Sequence, residues 1–436
     1  MVKITAKQKL MNQTPAKAFS LVAAMCMAQV IGMLGVFAFP ALLPDFINLW
    51  GLTNSEAGWI SGIYFGGYSI AVPVLTSLTD RIDSRRIYLG SCFVSMIANM
   101  GFALFSQGFW TALIFRGLCG IGLAGTFIPG LKALIDRLDT RFLPRAVSFY
   151  TACFGLGMSI SFYYAGVISK WLGWKPVFLI AGACSGFVLL LCLLILVPKP
   201  IEKTEGLSQG ILSTLDFRPV WQNSLARTYI IAYMCHMWEM FAARSWMVAF
   251  LAFSMTIQTG RSSLMAPTTV MAVAGIFGMF ASILFGECAV KFGRRRIVSA
   301  VMTVSGLIGL SLGFLVNLPF PALVCLCICY TVFFQGDSAA IHAGVITAAD
   351  PDRQGATMAL QSLAGFAAAS ISPIAVGLVL DITGGGTSRF SWGMTFGTMG
   401  ITAFLGLFLL IRPRAGCATC CEARTTDPDI FSHRTR

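Results

Sequence analysis

Seven polar or charged side chains stand in stretches of this sequence that are otherwise apolar: Gln29, Arg116, His236, Glu239, Arg244, Gln335 and Asp337. His236 and Glu239 are three residues apart, which on a helix sets them about 60° from one another on a shared face. An imidazole beside a carboxyl can take up and release protons. With Asp337 added, the same residues would offer the nitrogen and oxygen ligands that suit iron. Arg116 and Arg244 are permanent cations, and two guanidiniums suit an anion. Plainer roles compete with each of these. Arg116 can tie its helix to neighbouring carbonyls, Glu239 can pair permanently with an arginine, and His236 can be a hydrogen-bonded fixture. Met234, Met237 and Met240 read as packing, and His342 as a residue close to solvent.

The elements that hold these residues follow from composition. Of 436 residues, 56% are hydrophobic and only 11% charged, with a mean hydropathy of +0.78. A soluble domain carries about 25% charged residues. An ordinary soluble enzyme, a disordered chain and a secreted disulfide scaffold are therefore excluded, and the lipid bilayer is the expected partner. A spanning helix needs roughly 20 apolar residues. Apolar runs set between turn and charge breaks place twelve spans at 19–44, 57–79, 87–106, 109–131, 146–169, 174–197, 228–253, 264–286, 297–317, 320–346, 356–382 and 391–411. The result is an all-α membrane protein. A basic amino terminus (1–18) leads into a six-helix bundle (19–197), a polar linker (198–227), a second six-helix bundle (228–411) and a cysteine-containing tail (412–436). The first run is too long for a signal-peptide core and reads as a retained helix.

Lysine and arginine set the orientation. Alternate connections starting from the amino terminus hold 25 of these residues and the opposite connections 4, so both termini are expected in the cytoplasm. The net charge of +13 sits in short clusters that a cytoplasmic leaflet attracts, which argues against nucleic acid. The halves also echo each other. Aligning TSLTDRIDSRR after the second span with GECAVKFGRRR after the eighth places Arg81 on Lys291, Asp83 on Gly293, Arg85 on Arg295 and Arg86 on Arg296. Duplicated six-helix units are a common carrier architecture, with the binding site between them near mid-membrane. Depth along each span then sets Arg116 and Arg244 toward the outer side and His236, Glu239 and Asp337 around and below the midplane. Cys417, Cys420 and Cys421 in the tail, with His433, fall short of a convincing zinc site and read as a flexible reduced segment.

At these residues the chain resembles the major facilitator superfamily. The loop after span two keeps Asp80, Arg81, Arg85 and Arg86 of that family's signature but has Thr76 and Asp83 at its glycine positions. The second copy keeps Gly286, Lys291, Gly293, Arg294 and Arg295, with Val290 in place of the acid. RGLCGIGLA in span four, from Arg116 to Ala124, is similar to a further family motif. The resemblance implies two pseudo-symmetric bundles whose helices one, four, seven and ten line a central cavity. It also implies secondary active transport by alternating access, with protons as coupling ion, a small organic or inorganic anion as substrate, a monomer and no bound cofactor. In that picture Asp80 holds an arginine across the bundle and locks the cytoplasmic side. The span-five stretch GLGMSISFYYAG lacks the proline and glycine pair of drug–proton antiporters, so drug antiport is set aside.

The chain as a whole also looks somewhat like the magnetosome-associated permeases. That likeness implies iron as substrate, with His236, Glu239 and Asp337 as ligands, and a bacterial inner membrane or a magnetosome as location. A non-transporting sensor or scaffold on the same fold is the remaining class. No nucleophile–base pair or phosphate loop points to an enzyme.

Overall fold

The computed structural model describes residues 14–199, 217–258 and 265–412. The first lysines, most of the linker and the tail cysteines lie outside the described residues. Among the described residues, twelve helices are long and apolar enough to cross a membrane: α1 Pro15–Gly32, α2 Asn54–Leu78, α3 Ser84–Phe105, α4 Phe109–Ile135, α5 Thr140–Leu172, α6 Trp174–Ile195, α7 Ser224–Ile257, α8 Pro267–Phe292, α9 Arg294–Leu315, α10 Phe320–Ala348, α11 Pro351–Ile382 and α12 Arg389–Ile411. Their starts carry the expected caps. Thr53 and Glu56 form a reciprocal capping box on α2, Asp83 accepts from the Arg85 N–H at the start of α3, and Asn223 accepts from Leu225 and Ala226 at the start of α7. Large apolar side chains such as Ile70, Trp110 and Leu194 are exposed on the outer surfaces of the helices. In water they would be a liability; hydrocarbon solvates them.

Three spans are interrupted where chemistry collects. The first is one apolar run in the sequence but not one helix: α1 stops at Gly32, the backbone turns over 33–37, and short helices Ala38–Ala41 and Leu43–Trp50 follow. The break frees backbone groups that lipid cannot satisfy. Side chains from other helices take them up. Ser161 of α5 donates to Leu34 O at 2.7 Å and accepts from Phe37 N–H at 2.9 Å. Helix α10 breaks at Asp337, and α4 breaks at Phe127, just before Pro129.

Among the described residues the halves, α1–α6 and α7–α12, meet along two long seams, α2 with α11 and α5 with α8, and α7 also touches the short helices after α1. One end of the molecule carries the basic turns with Arg85, Lys132 and Arg295, here termed the basic face. Toward the opposite face, α2 and α11 touch backbone to backbone: a Cβ on Gly58 would lie 2.4 Å from Pro373 O, and one on Gly62 2.1 Å from Ser370 O. Toward the basic face, contact passes to side chains, with the Tyr68 and Phe366 rings 4.2 Å apart and Ser69 Oγ 3.4 Å from Leu363 O. The α5–α8 seam widens in the same direction. A Cβ on Gly166 would sit 2.0 Å from Thr268 Oγ1, whereas one on Gly155 would be 3.7 Å from Met279. The halves are thus wedged, tightest at the opposite face.

Candidate functional site

The best-enclosed helix is α7, which carries three of the seven residues singled out in the sequence. His236 Nδ1 lies 2.7 Å from Asp337 Oδ1, both side chains almost fully buried, without the alignment of a hydrogen bond. The break at Gly336–Asp337 turns the aspartate toward α7. One turn further along, Glu239 is buried and leans on α9, its Oε2 3.3 Å from Ser305 Oγ. The Tyr330 hydroxyl lies beside this carboxyl, and Glu239 Oε1 makes no aligned hydrogen bond. No lysine or arginine pairs with Glu239 in the ion pairs among the described residues.

Arg244 lies at the joint between the halves. Its Nη2 donates to Gln335 Oε1 on α10 at 2.8 Å, and its Nη1 lies 3.1 Å from Met158 Sδ on α5, across the seam. Its partners are neutral, and the ion pairs among the described residues do not include it. It borders a narrow cleft with Met158, Phe162, Met271, Gly275 and Thr331, while the Phe37 ring is 5.8 Å from its guanidinium carbon. Phe241, one turn back on α7, packs on Phe65 with centroids 4.3 Å apart. The cleft therefore offers one cation among apolar and aromatic walls.

The seven residues do not gather in one void, which corrects the expectation of a shared cavity. Arg116 does not stand beside Arg244. It is completely buried, donates to Gly35 O at 2.9 Å and Val36 O at 2.8 Å, and lies over the Tyr64 ring at 4.3 Å. The carbonyls freed by the break after α1 claim its guanidinium, so the plainer role prevails and the two-arginine clamp reduces to one arginine. Gln29 likewise faces the interior of the first half, with the Tyr150 hydroxyl 2.7 Å from its Oε1, lining a cleft with Met33, Tyr88 and Ser95. The iron ligand set does not close either. Among the described residues no three of His, Cys, Asp and Glu converge to hold a metal ion. Glu239 shares a helix face with His236, but its carboxyl contacts Ser305.

The loop motif is folded differently from the expected lock. Asp80 pairs with Lys132 of α4 at 2.7 Å, within its own half, rather than with an arginine across the bundle. The seams widen toward this face, and the nearest cation is in the same half. Asp83, which departs from the family pattern, is the centre of the motif. It pairs with Arg137 at 2.8 Å, accepts the Lys199 N–H at 2.9 Å, and caps α3. Burial pushes this carboxyl up, but Arg137 and the two N–H donors outweigh that and hold it below the usual carboxylate range. Arg85 donates to Leu193 O near the end of α6, and Arg295 reaches Ile411 O at the end of α12. Residues aligned in the two loops thus make matching contacts. Arg294 reaches Thr347, Lys291 lies over the Phe292 ring, Gly293 has φ +96°, and Gly286 lies close to Ala339. Arg81 and Arg86 are exposed. His342 contacts Gln361 at 2.9 Å.

Met158, Thr331, Tyr330 and Ser305 at the site, and Lys132 and Arg137 at the loops, escaped the sequence reading. Tyr330 and Ser305 carry little signal, since Thr331 and Thr303 stand within two residues of them. Met158 carries none.

Comparison with known proteins places this geometry. The Major Facilitator Superfamily model matches residues 25–373. The sphingosine-1-phosphate transporter SPNS2 of Xenopus tropicalis is 23% identical over 410 residues, covering 88% of this chain and 77% of that protein. Human protein spinster homolog 1 is 25% identical over 162 residues, 36% of this chain and 30% of its own length. The chain spans about a third of the length of several curated relatives it matches. The crystal structure of a bacterial homolog to the human lysosomal transporter Spinster, inward-facing and occupied, superposes with a TM-score of 0.75 at 15% identity. It covers 92% of this chain and 97% of that one, a likeness of fold.

Proposed function

Because this chain belongs to the Major Facilitator Superfamily and is a transporter, we propose that it carries a small organic anion across its membrane by alternating access, coupled to protons. The observation that carries this reading is Arg244, a buried cation at the joint between halves whose contacts are an amide oxygen and a thioether. A cation kept in a low-dielectric site without a carboxylate is costly, and an anionic ligand offsets that cost. Met158, Phe162 and Met271 around it favour an anion with an apolar part over an inorganic one. The spinster relatives, one of them named for sphingosine-1-phosphate, are consistent with an amphiphilic anion. Protons are assigned to Glu239 and to the His236–Asp337 pair, which lie on α7 and α10 nearer the basic face than Arg244. The basic face is assigned to the cytoplasm from the loop charges. The protein acts as a monomer, the ordinary unit for two bundles that enclose their own site.

A thermal-shift screen of the purified protein tests the substrate class. Short-chain and aromatic carboxylates, alkyl monophosphates, neutral sugars and alkyl amines are compared at equal ionic strength. A ligand at a hundred times its Kd stabilises by about 2.7 kcal/mol. Anions with an apolar part raise the unfolding midpoint in this account. A rise confined to the sugars or the amines would overturn it.

A further inference from the structure

Helix α2 begins at the opposite face with backbone N–H groups that no earlier turn can satisfy. The Glu56 N–H donates to Thr53 Oγ1 at 3.1 Å within the capping box. The preceding two are taken by a side chain from the other half of the molecule. Asp381, in the last turn of α11, accepts the Asn54 N–H at 3.0 Å and Asn54 Nδ2 at 2.8 Å through Oδ1. Through Oδ2 it accepts the Ser55 N–H at 2.8 Å and Ser55 Oγ at 2.5 Å. One carboxylate thus completes the cap of a helix to which it does not belong, at the end where the helix dipole favours an anion.

Its surroundings make this contact sensitive to how the halves sit. A Cβ on Gly377 would lie 2.2 Å from Asn54 O, so α11 and α2 touch directly beneath the carboxylate. Further in, Trp246 of α7 donates to Pro373 O at 3.0 Å and steadies α11 from behind. The four bonds lie at the exposed rim, where water can replace them once the helices part. At the other seam, among the described residues, Ala266 precedes α8 without a side-chain cap.

We propose that Asp381 is the latch of the closed opposite face: carried by one half, it caps α2 in the other, and every opening of that face breaks its four bonds together. Removing it favours the conformer open to the opposite face. The proposal rests on the alternating-access reading, but its test needs no substrate, so failure of the latch and failure of anion binding are read separately.

The test is hydrogen–deuterium exchange on the full-length protein in detergent, native against Asp381→Ala. Loss of a cap alone frees only the first turn of α2. Loss of a latch also speeds exchange at the remote α5–α8 seam, over residues 268–275, which Asp381 does not touch. The expected rise there lies between about twofold and thirtyfold, the range for losing a helix-capping side chain. A rise confined to 54–57, or no rise at all, would overturn the latch. The double variant Asn54→Ala, Ser55→Ala keeps the backbone donors and is expected to give a smaller rise at the same remote residues. It decides the matter if Asp381→Ala does not fold, and an unchanged remote seam in it counts against the latch.

Discussion

Glu239→Gln removes proton-driven accumulation of the carried anion while leaving its exchange intact. Among the described residues the buried carboxyl pairs with no cation; Ser305 Oγ at 3.3 Å and the neighbouring Tyr330 hydroxyl face it. Burying its charged form is expensive, and taking a proton removes the expense. Glutamine reproduces the protonated shape but cannot release a proton. A pH difference of one unit is worth about 1.4 kcal/mol and concentrates a substrate carried with one proton about tenfold. Proteoliposomes holding the native protein are expected to approach that ratio, and those holding the variant to stay near onefold. Exchange of labelled for unlabelled anion should proceed in both. Equal loss of accumulation and exchange would contradict the assignment of Glu239 to protons, since it would mark the side chain as part of the fold or of the substrate seat.

Arg244→Ala weakens anion binding by roughly 10- to 150-fold, the equivalent of about 1.5–3 kcal/mol for a hydrogen bond to a charged group. Arg244 is expected to do this alone, because Arg116 is committed to Gly35 O and Val36 O. Arg244→Lys keeps the charge but loses the fork that holds Gln335 and the ligand together, and falls between. Isothermal titration with the anions selected by thermal shift measures the effect. Unchanged affinity in Arg244→Ala would end the assignment of Arg244 to the substrate.

What was legible in the sequence follows a physical line. Apolar runs long enough for a bilayer mark each span, because lipid imposes that length on every one, and all twelve helices fall where the runs lie. Breaks inside spans were not legible. The run over 19–44 stays apolar straight through the turn at 33–37, and only other helices, through Arg116 and Ser161, make that turn tolerable. The same dependence on other helices holds at the site. His236 meets Asp337 and Arg244 meets Gln335 between α7 and α10, while Glu239 turns to Ser305 on α9. Gln29 and Arg116 have suitable depth but turn inward, and depth along a helix says nothing of a partner on another one. The loop motif drew attention to Asp80, yet Asp83 gathers Arg137, Lys199 and the α3 cap. Asp381 passes in the sequence as the polar end of an apolar run, since its role exists only when α2 and α11 meet.

Counterflow in proteoliposomes tests the central claim that one site is presented in turn to the two faces. Vesicles preloaded with an excess of the selected anion are diluted into a trace of its labelled form, with no pH gradient. The account predicts that labelled anion enters faster than into empty vesicles and transiently overshoots its equilibrium level. Identical uptake by loaded and empty vesicles, with binding intact, would contradict it.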